Sequence, residues 1–126
     1  IDTRRAHFEA YQAELGMLPG IEFMPVEDPN ASNYWLTCLT VDSETSGSSR
    51  DELMAALEVA DIEARPLWKP LHLQPVFKDK ICYGGEEAAG LFKNALCLPS
   101  GSGMHQSDRE AVISTIKDTL ALCRSK

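Results

Sequence analysis

Three prolines, at positions 66, 70 and 75, interrupt the middle of the chain in the stretch Arg65-Pro66-Leu67-Trp68-Lys69-Pro70-Leu71-His72-Leu73-Gln74-Pro75. Each proline fixes φ and lacks an amide donor, so this stretch is neither a helix interior nor a central strand. It reads as an extended piece at the margin of the fold. The segments on either side must therefore supply the core.

Their periodicity suits that role. Phe8, Tyr11 and Leu15 recur at spacings of three and four, which predicts a helix over 2–15 that Gly16 and then Pro19-Gly20 terminate. Residues 21–24 make a short strand closed by Pro25, and turn formers including Asp28-Pro29-Asn30 lead into a second strand over 34–41. That strand is apolar on both faces, which places it inside a sheet. A flexible polar connection over 43–49, around Gly47, precedes a capping box formed by Ser49 and Glu52. The helix it starts carries Leu53, Leu57 and Ala60 on one face, and Ile62 begins the next extended piece.

Beyond the prolines, Gly84-Gly85 leads into a helix whose apolar face holds Ala88, Leu91, Phe92 and Ala95. A short buried strand over 95–98 stops at Pro99, and Ser100-Gly101-Ser102-Gly103 forms a turn. A second capping box at Ser107-Asp108-Arg109-Glu110 opens a final helix with Val112, Ile113, Ile116 and Leu120 turned to the core. The order α-β-β-α-extended-α-β-α predicts an α+β fold of two layers, a short and mainly antiparallel sheet packed by helices, in one domain over 1–126.

Composition narrows the function classes. A chain of 126 residues that is 44% hydrophobic can build a core without staples. Its net charge of −7 argues against a nucleic-acid surface, yet leaves room for a small phosphate-bearing ligand held by a few local cations. No apolar run approaches the roughly 20 residues that span a bilayer, and no signal-peptide pattern is present. The chain opens on Ile1 rather than Met and is read as a piece of a longer protein. Cys38, Cys82, Cys97 and Cys123 show no CxxC spacing. Neither a metal site nor a redox pair is expected, and Cys38, Cys97 and Cys123, inside apolar stretches, read as small core hydrophobes in a reducing cytoplasm.

Chemical interest concentrates in the proline-rich stretch. In an extended chain Trp68, His72 and Gln74 share one face, and Arg65 and Lys69 share the other with three leucines. On one reading the stretch faces a ligand. Trp supplies a flat apolar surface, His and Gln supply hydrogen bonds, and Arg grips a phosphate with a forked pair of donors. On the other it is a rigid connection with Trp68 in the core and the cations solvated. The Ser100–Gly103 turn lacks the phosphate-loop patterns, so it reads as a plain turn. His7 and His105 read as surface residues, and Arg4-Arg5 as a solvated pair or a contact with a neighbouring domain. No spacing marks a catalytic triad.

The same stretch resembles the C-terminal segment of the DegT/DnrJ-type sugar aminotransferases. Within that family it is most similar to the branch that aminates UDP-4-keto-6-deoxy-N-acetylhexosamines for bacterial protein (pilin) glycosylation. The resemblance extends to Arg4-Arg5 with Tyr11 and Leu15, and to Asn33-Tyr34-Trp35-Leu36-Thr37, where a basic residue is more usual than Tyr34. It continues through Leu91-Phe92 and Ala95-Leu96-Cys97-Leu98-Pro99-Ser100-Gly101 into the last helix. The family implies the small C-terminal domain of a fold-type I enzyme that uses pyridoxal phosphate (PLP) and works as a cytoplasmic homodimer. Such an enzyme moves an amino group from glutamate to a nucleotide-linked keto sugar. Its Schiff-base lysine lies in a large N-terminal domain, so 1–126 alone would hold no cofactor, carry no catalytic residue and be inactive. The match makes Arg65, Trp68 and His72, backed by Lys69 and Gln74, the candidates to meet substrate. Without the resemblance, the residues describe a self-contained ferredoxin-like module for ligand binding or dimerisation.

Overall fold

Helix α1 (Asp2–Leu15) buries Phe8, Tyr11 and Leu15 on the expected face, and the same face also buries His7. In the computed structural model, which describes residues 1–124, the chain then turns through Gly20 into β1 (Ile21–Phe23). Gly20 sits at φ 78°, and a Cβ there would come within 2.6 Å of the Ser46 amide, so glycine is required. β2 (Thr37–Val41) begins three residues after Tyr34, later than its apolar composition predicts. Tyr34 itself adopts φ 48°, a left-handed conformation that breaks the extended run.

The connection after β2 is not a flexible link. Asp42 accepts a hydrogen bond from the Glu44 amide and caps a single-turn helix, α2 (Ser43–Ser46), which ends at Gly47 in the left-handed region. Ser46 and Ser48 are buried, and the Ser46 hydroxyl donates to the Ser48 carbonyl at 2.8 Å. Helix α3 (Arg50–Val59) starts on the capping box read from the sequence: Ser49 Oγ accepts from the Glu52 amide, and the Glu52 carboxylate accepts from the Ser49 amide. Leu53 and Leu57 are buried, whereas Ala60 lies at the exposed end. Asp61 turns the chain at φ 58°.

β3 (Arg65–Pro66) is a two-residue edge strand, followed by 3₁₀ turns at Leu71–Leu73 and Pro75–Phe77. Helix α4 (Glu86–Asn94) leads directly into β4 (Ala95–Leu98). The last helix, α5 (Gln106–Arg124), starts one residue before Ser107, so that capping box does not form. Asp108 instead accepts from the His105 amide at 2.9 Å, which gives half of the motif two positions earlier.

The strands form an antiparallel sheet in the order β1-β2-β4-β3. Leu39, Val41, Leu96 and Leu98 point to one face and join Tyr11, Leu15, Leu53, Leu57, Val112, Ile113, Ile116 and Leu120 in the core. This is the expected α+β arrangement of sheet and helices. The opposite face is thinly covered. α4 touches β2 and β4 and is held through Arg50, which donates to the Phe92 carbonyl at 3.2 Å, but none of its residues is buried. The apolar face predicted for this helix is thus left open, with Leu91 49% exposed. Among the described residues, no helix is long and apolar enough to cross a membrane.

Candidate functional site

The backbone reversal at Tyr34 organises this surface. It turns the Tyr34 ring inward against Phe8, at 5.3 Å between centroids, and leaves Trp35 58% exposed. Three contacts fix the reversal. Asn33 Oδ1 accepts from the Trp35 amide at 3.0 Å, and the Trp35 carbonyl accepts from Arg4 Nη1 at 2.8 Å and from the Ser100 hydroxyl at 3.3 Å. Arg5 lies 5.3 Å above the Tyr34 ring and donates to the Pro29 carbonyl. Arg4-Arg5 is therefore not a simply solvated pair, because both guanidiniums secure the entry to β2.

Trp35 meets Trp68 from the proline-rich stretch, with centroids 6.4 Å apart and planes inclined by 38°. Trp68 is 65% exposed, so it is not a core residue. Trp35 borders two clefts, and Trp68 borders one of them. One, of about 660 Å³, is lined by Arg4, Trp35, Arg65, Cys97, Ser100 and Asp108 among others. The second, of about 600 Å³, includes Met24, Trp35, Cys38 and Trp68 in its lining. Arg65 reaches the larger cleft from β3 and is paired there with Glu63, Nε to Oε1 at 2.7 Å. An exposed pair of this kind contributes little stability, so the guanidinium is free to exchange its carboxylate for a phosphate.

The remaining residues of the stretch do not follow the alternation of an extended chain. The 3₁₀ turn at Leu71–Leu73 rotates His72 away from the indoles and onto Gly85, where a Cβ would fall 2.8 Å from the imidazole Cε1. Gly85 is at φ 103°, so the open backbone and the ring determine each other's position. Gln74 donates from Nε2 to the Lys69 carbonyl at 3.3 Å and braces the turn, while the Lys69 side chain is exposed. The structure thus brings Arg65 and Trp68 together around Trp35 and sets His72 apart. Composition placed Trp35 inside a strand; its outward position follows from the φ at Tyr34, for which an Asx turn at Asn33 was the available signal.

His7 is only 3% exposed and not a surface residue. Its Nδ1 accepts from Arg109 Nη1 at 3.2 Å, and its Nε2 has no partner. Burial, and then the Arg109 charge, hold its pKa below the ordinary imidazole value. Tyr11, fully buried, donates to the Pro99 carbonyl at 2.9 Å, and burial pushes its phenol up. Tyr11 thus ties α1 to the end of β4, and His7 ties it to α5. His105 is exposed, as expected.

The described lysines bear on any cofactor that must be attached covalently. Lys69, Lys78, Lys80 and Lys93 are exposed, Lys117 is paired with Glu14, and none lines either cleft. No group of three or more His, Cys, Asp or Glu side chains among the described residues could hold a metal.

Comparison with known proteins gives a concordant picture. The model of the DegT/DnrJ/EryC1/StrS aminotransferase family matches residues 1–117. EpsN of Bacillus subtilis (strain 168), whose name describes a pyridoxal phosphate-dependent aminotransferase, is 42% identical over 120 residues, covering 92% of this chain and 30% of EpsN. The GDP-perosamine synthase of Vibrio cholerae is 30% identical over 123 residues, covering 94% of this chain and 32% of the synthase. The crystal structure of the aminotransferase TlmJ from Streptoalloteichus hindustanus superposes with a TM-score of 0.83 at 24% identity, covering 97% of this chain and 32% of TlmJ. The chain therefore spans about a third of the length of the proteins it matches.

Proposed function

The chain belongs to the DegT/DnrJ/EryC1/StrS aminotransferase family, and from that membership we propose that residues 1–126 are the C-terminal small domain of a PLP-dependent sugar-nucleotide aminotransferase. In this reading the whole enzyme moves an amino group from glutamate to a nucleotide-linked 4-keto-6-deoxy sugar, for surface or pilin glycans. It works in the cytoplasm as a homodimer. This domain forms one wall of the substrate cleft.

The observation that carries the proposal is the exposed Trp35–Trp68 pair beside Arg65. The indoles offer a flat apolar surface to a sugar or base, and Arg65 offers two donors to a diphosphate. His72, fixed by Gly85, adds a hydrogen-bonding group further along, with Lys69 and Gln74 shaping the turn behind it. The name of the Vibrio cholerae relative, a GDP-perosamine synthase, supports a nucleotide-linked sugar as substrate.

The described residues do not fit a PLP site, because no lysine lines the clefts. In the proposal, cofactor attachment and amino transfer belong to a large N-terminal domain, and the isolated domain is inactive. The open apolar side chains of Leu71, Val76, Ile81 and Tyr83 suit coverage by that domain or by a second subunit.

The test uses the full-length enzyme with glutamate and a UDP-4-keto-6-deoxy sugar. Arg65→Ala, Trp68→Ala and His72→Ala should each lower kcat/KM by about tenfold or more, with the PLP absorbance unchanged. Unchanged kcat/KM in all three would remove this surface from the substrate site. An upstream reading frame without a PLP-binding domain would remove the reading itself.

A further inference from the structure

Cys38 in β2 and Cys97 in β4 lie directly opposite each other, and their sulfur atoms are 3.5 Å apart. The two residues are separated by 59 positions in the chain, which is why no local spacing pairs them. The manner of pairing matters. The Cys38 carbonyl accepts from the Met24 amide, so the peptide groups of Cys38 point toward β1. The Ala95 carbonyl accepts from the Leu67 amide, and by the two-residue alternation of antiparallel ladders the peptide groups of Cys97 also point away from β2, toward β3.

Cys38 and Cys97 are therefore a non-hydrogen-bonded pair, the closer of the two antiparallel kinds, with Cα atoms about 4.5 Å apart. A disulfide spans Cα separations of roughly 4.4–6.8 Å. Side-chain rotation that shortens the sulfur separation to about 2.05 Å closes the bond without displacing either strand.

Access is asymmetric. Cys97 is half-buried and opens on the cleft that holds Trp35 and Arg65, whereas Cys38 is 4% exposed. The contact with Cys38 holds the Cys97 thiol below its ordinary value, while the same contact and burial push the Cys38 thiol up. Cys97 has the thiolate character and the access of an attacking group, and Cys38 is the resolving group.

We propose that Cys38 and Cys97 are an intramolecular disulfide-forming site whose co-reactant is a low-molecular-weight disulfide such as oxidised glutathione. The Cys97 thiolate attacks one sulfur of glutathione disulfide, a mixed disulfide forms, and one glutathione leaves as its thiolate. The Cys38 sulfur then attacks Cys97 Sγ, and the second glutathione leaves with the proton that Cys38 gives up. Two protein thiols are oxidised and one glutathione disulfide is reduced to two glutathione thiols. The product joins β2 to β4 under the Trp35–Trp68 surface.

The experiment incubates the full-length native protein with oxidised glutathione, blocks free thiols with N-ethylmaleimide in denaturant, and maps the digest by mass spectrometry. The expected result is a Cys38–Cys97 cross-linked peptide lighter by two hydrogens and reversed by dithiothreitol. In Cys38→Ser, Cys97 should accumulate a stable glutathione adduct. Cys38 and Cys97 both recovered with the maleimide block, or a Cys97 adduct that persists in the unsubstituted protein, would overturn the proposal. The wild-type map decides the question even if a variant fails to fold, and it reads no amino transfer, so it stands or falls separately from the proposed activity.

Discussion

One face of the sheet presents Leu39, Val41, Leu96 and Leu98 to three helices, while the opposite face presents Cys38, Thr40, Ala95 and Cys97 toward α4 and the paired indoles. The same four strands, with the same alternation, thus serve two purposes. On the first face the apolar residues interlock and water is excluded. On the second, Trp35, Trp68 and Leu91 stay in solvent at 58%, 65% and 49% exposure. A domain that spent its apolar residues only on its own stability would not leave these outside. Stability resides on one face, and the proposed recognition is assigned to the other.

The comparison can be broken most directly at Leu57, which is fully buried in the covered layer. Leu57→Ala should cost about 2–5 kcal/mol in chemical denaturation, through lost burial and the cavity left behind. If the cost is below 1 kcal/mol, roughly the size of a surface effect, the covered layer does not hold the fold. A smaller loss, about 1–3 kcal/mol, is expected for Gly85→Ala, since alanine is strained at φ 103° and its Cβ crowds His72. The same variant should change substrate affinity through the displaced imidazole, which a purely stability-related glycine would not do.

A pH-dependent effect comes next. Because His7 has a lowered pKa in the folded chain, the unfolded chain binds its proton more readily. Stability should therefore be full above the ordinary value of 6.5 and fall as pH drops below it, with Arg109 adding repulsion once the ring is charged. His7→Gln should flatten that slope in urea midpoints measured at pH 7.5 and pH 5.5, and an unaltered slope would assign the acid sensitivity elsewhere. The smallest stability change belongs to the open face. Trp68→Ala should alter folding stability by less than about 0.5 kcal/mol while weakening sugar-nucleotide binding in calorimetry. A large loss of stability would instead make the indole a structural residue.

The covered face was largely legible in the sequence. Phe8, Tyr11, Leu15, Leu53, Leu57 and the α5 stripe announce themselves by helical spacing, and three prolines announce an edge. What escaped depends on partners distant in the chain. His7 reads as an exposed helix position until Arg109 and the β4–α5 turn close over it. Cys38 and Cys97 become neighbours only once the strand register is set. The apolar side of α4 predicts burial, yet Leu91 stays exposed and Phe92 is only half-buried beneath Arg50, so amphipathicity alone overstates how far this helix is covered. The one-turn helix at Ser43–Ser46 was missed because four polar residues carry no hydrophobic period; its signal was the cap at Asp42. Within the candidate site, Arg65 and Trp68 were readable, whereas Trp35 depended on one backbone angle at Tyr34.

The direction of each peptide group at the sheet's margin has one more consequence. The Leu67 amide points inward to Ala95, so at Pro66 the missing amide lies on the outward side of β3. The proline costs the sheet no ladder bond, yet removes the donor that another chain's strand would need to pair there. A sheet with exposed apolar side chains on its second face runs a risk of self-association in a crowded cell. On this margin, Pro66 denies intruding strands a place to start.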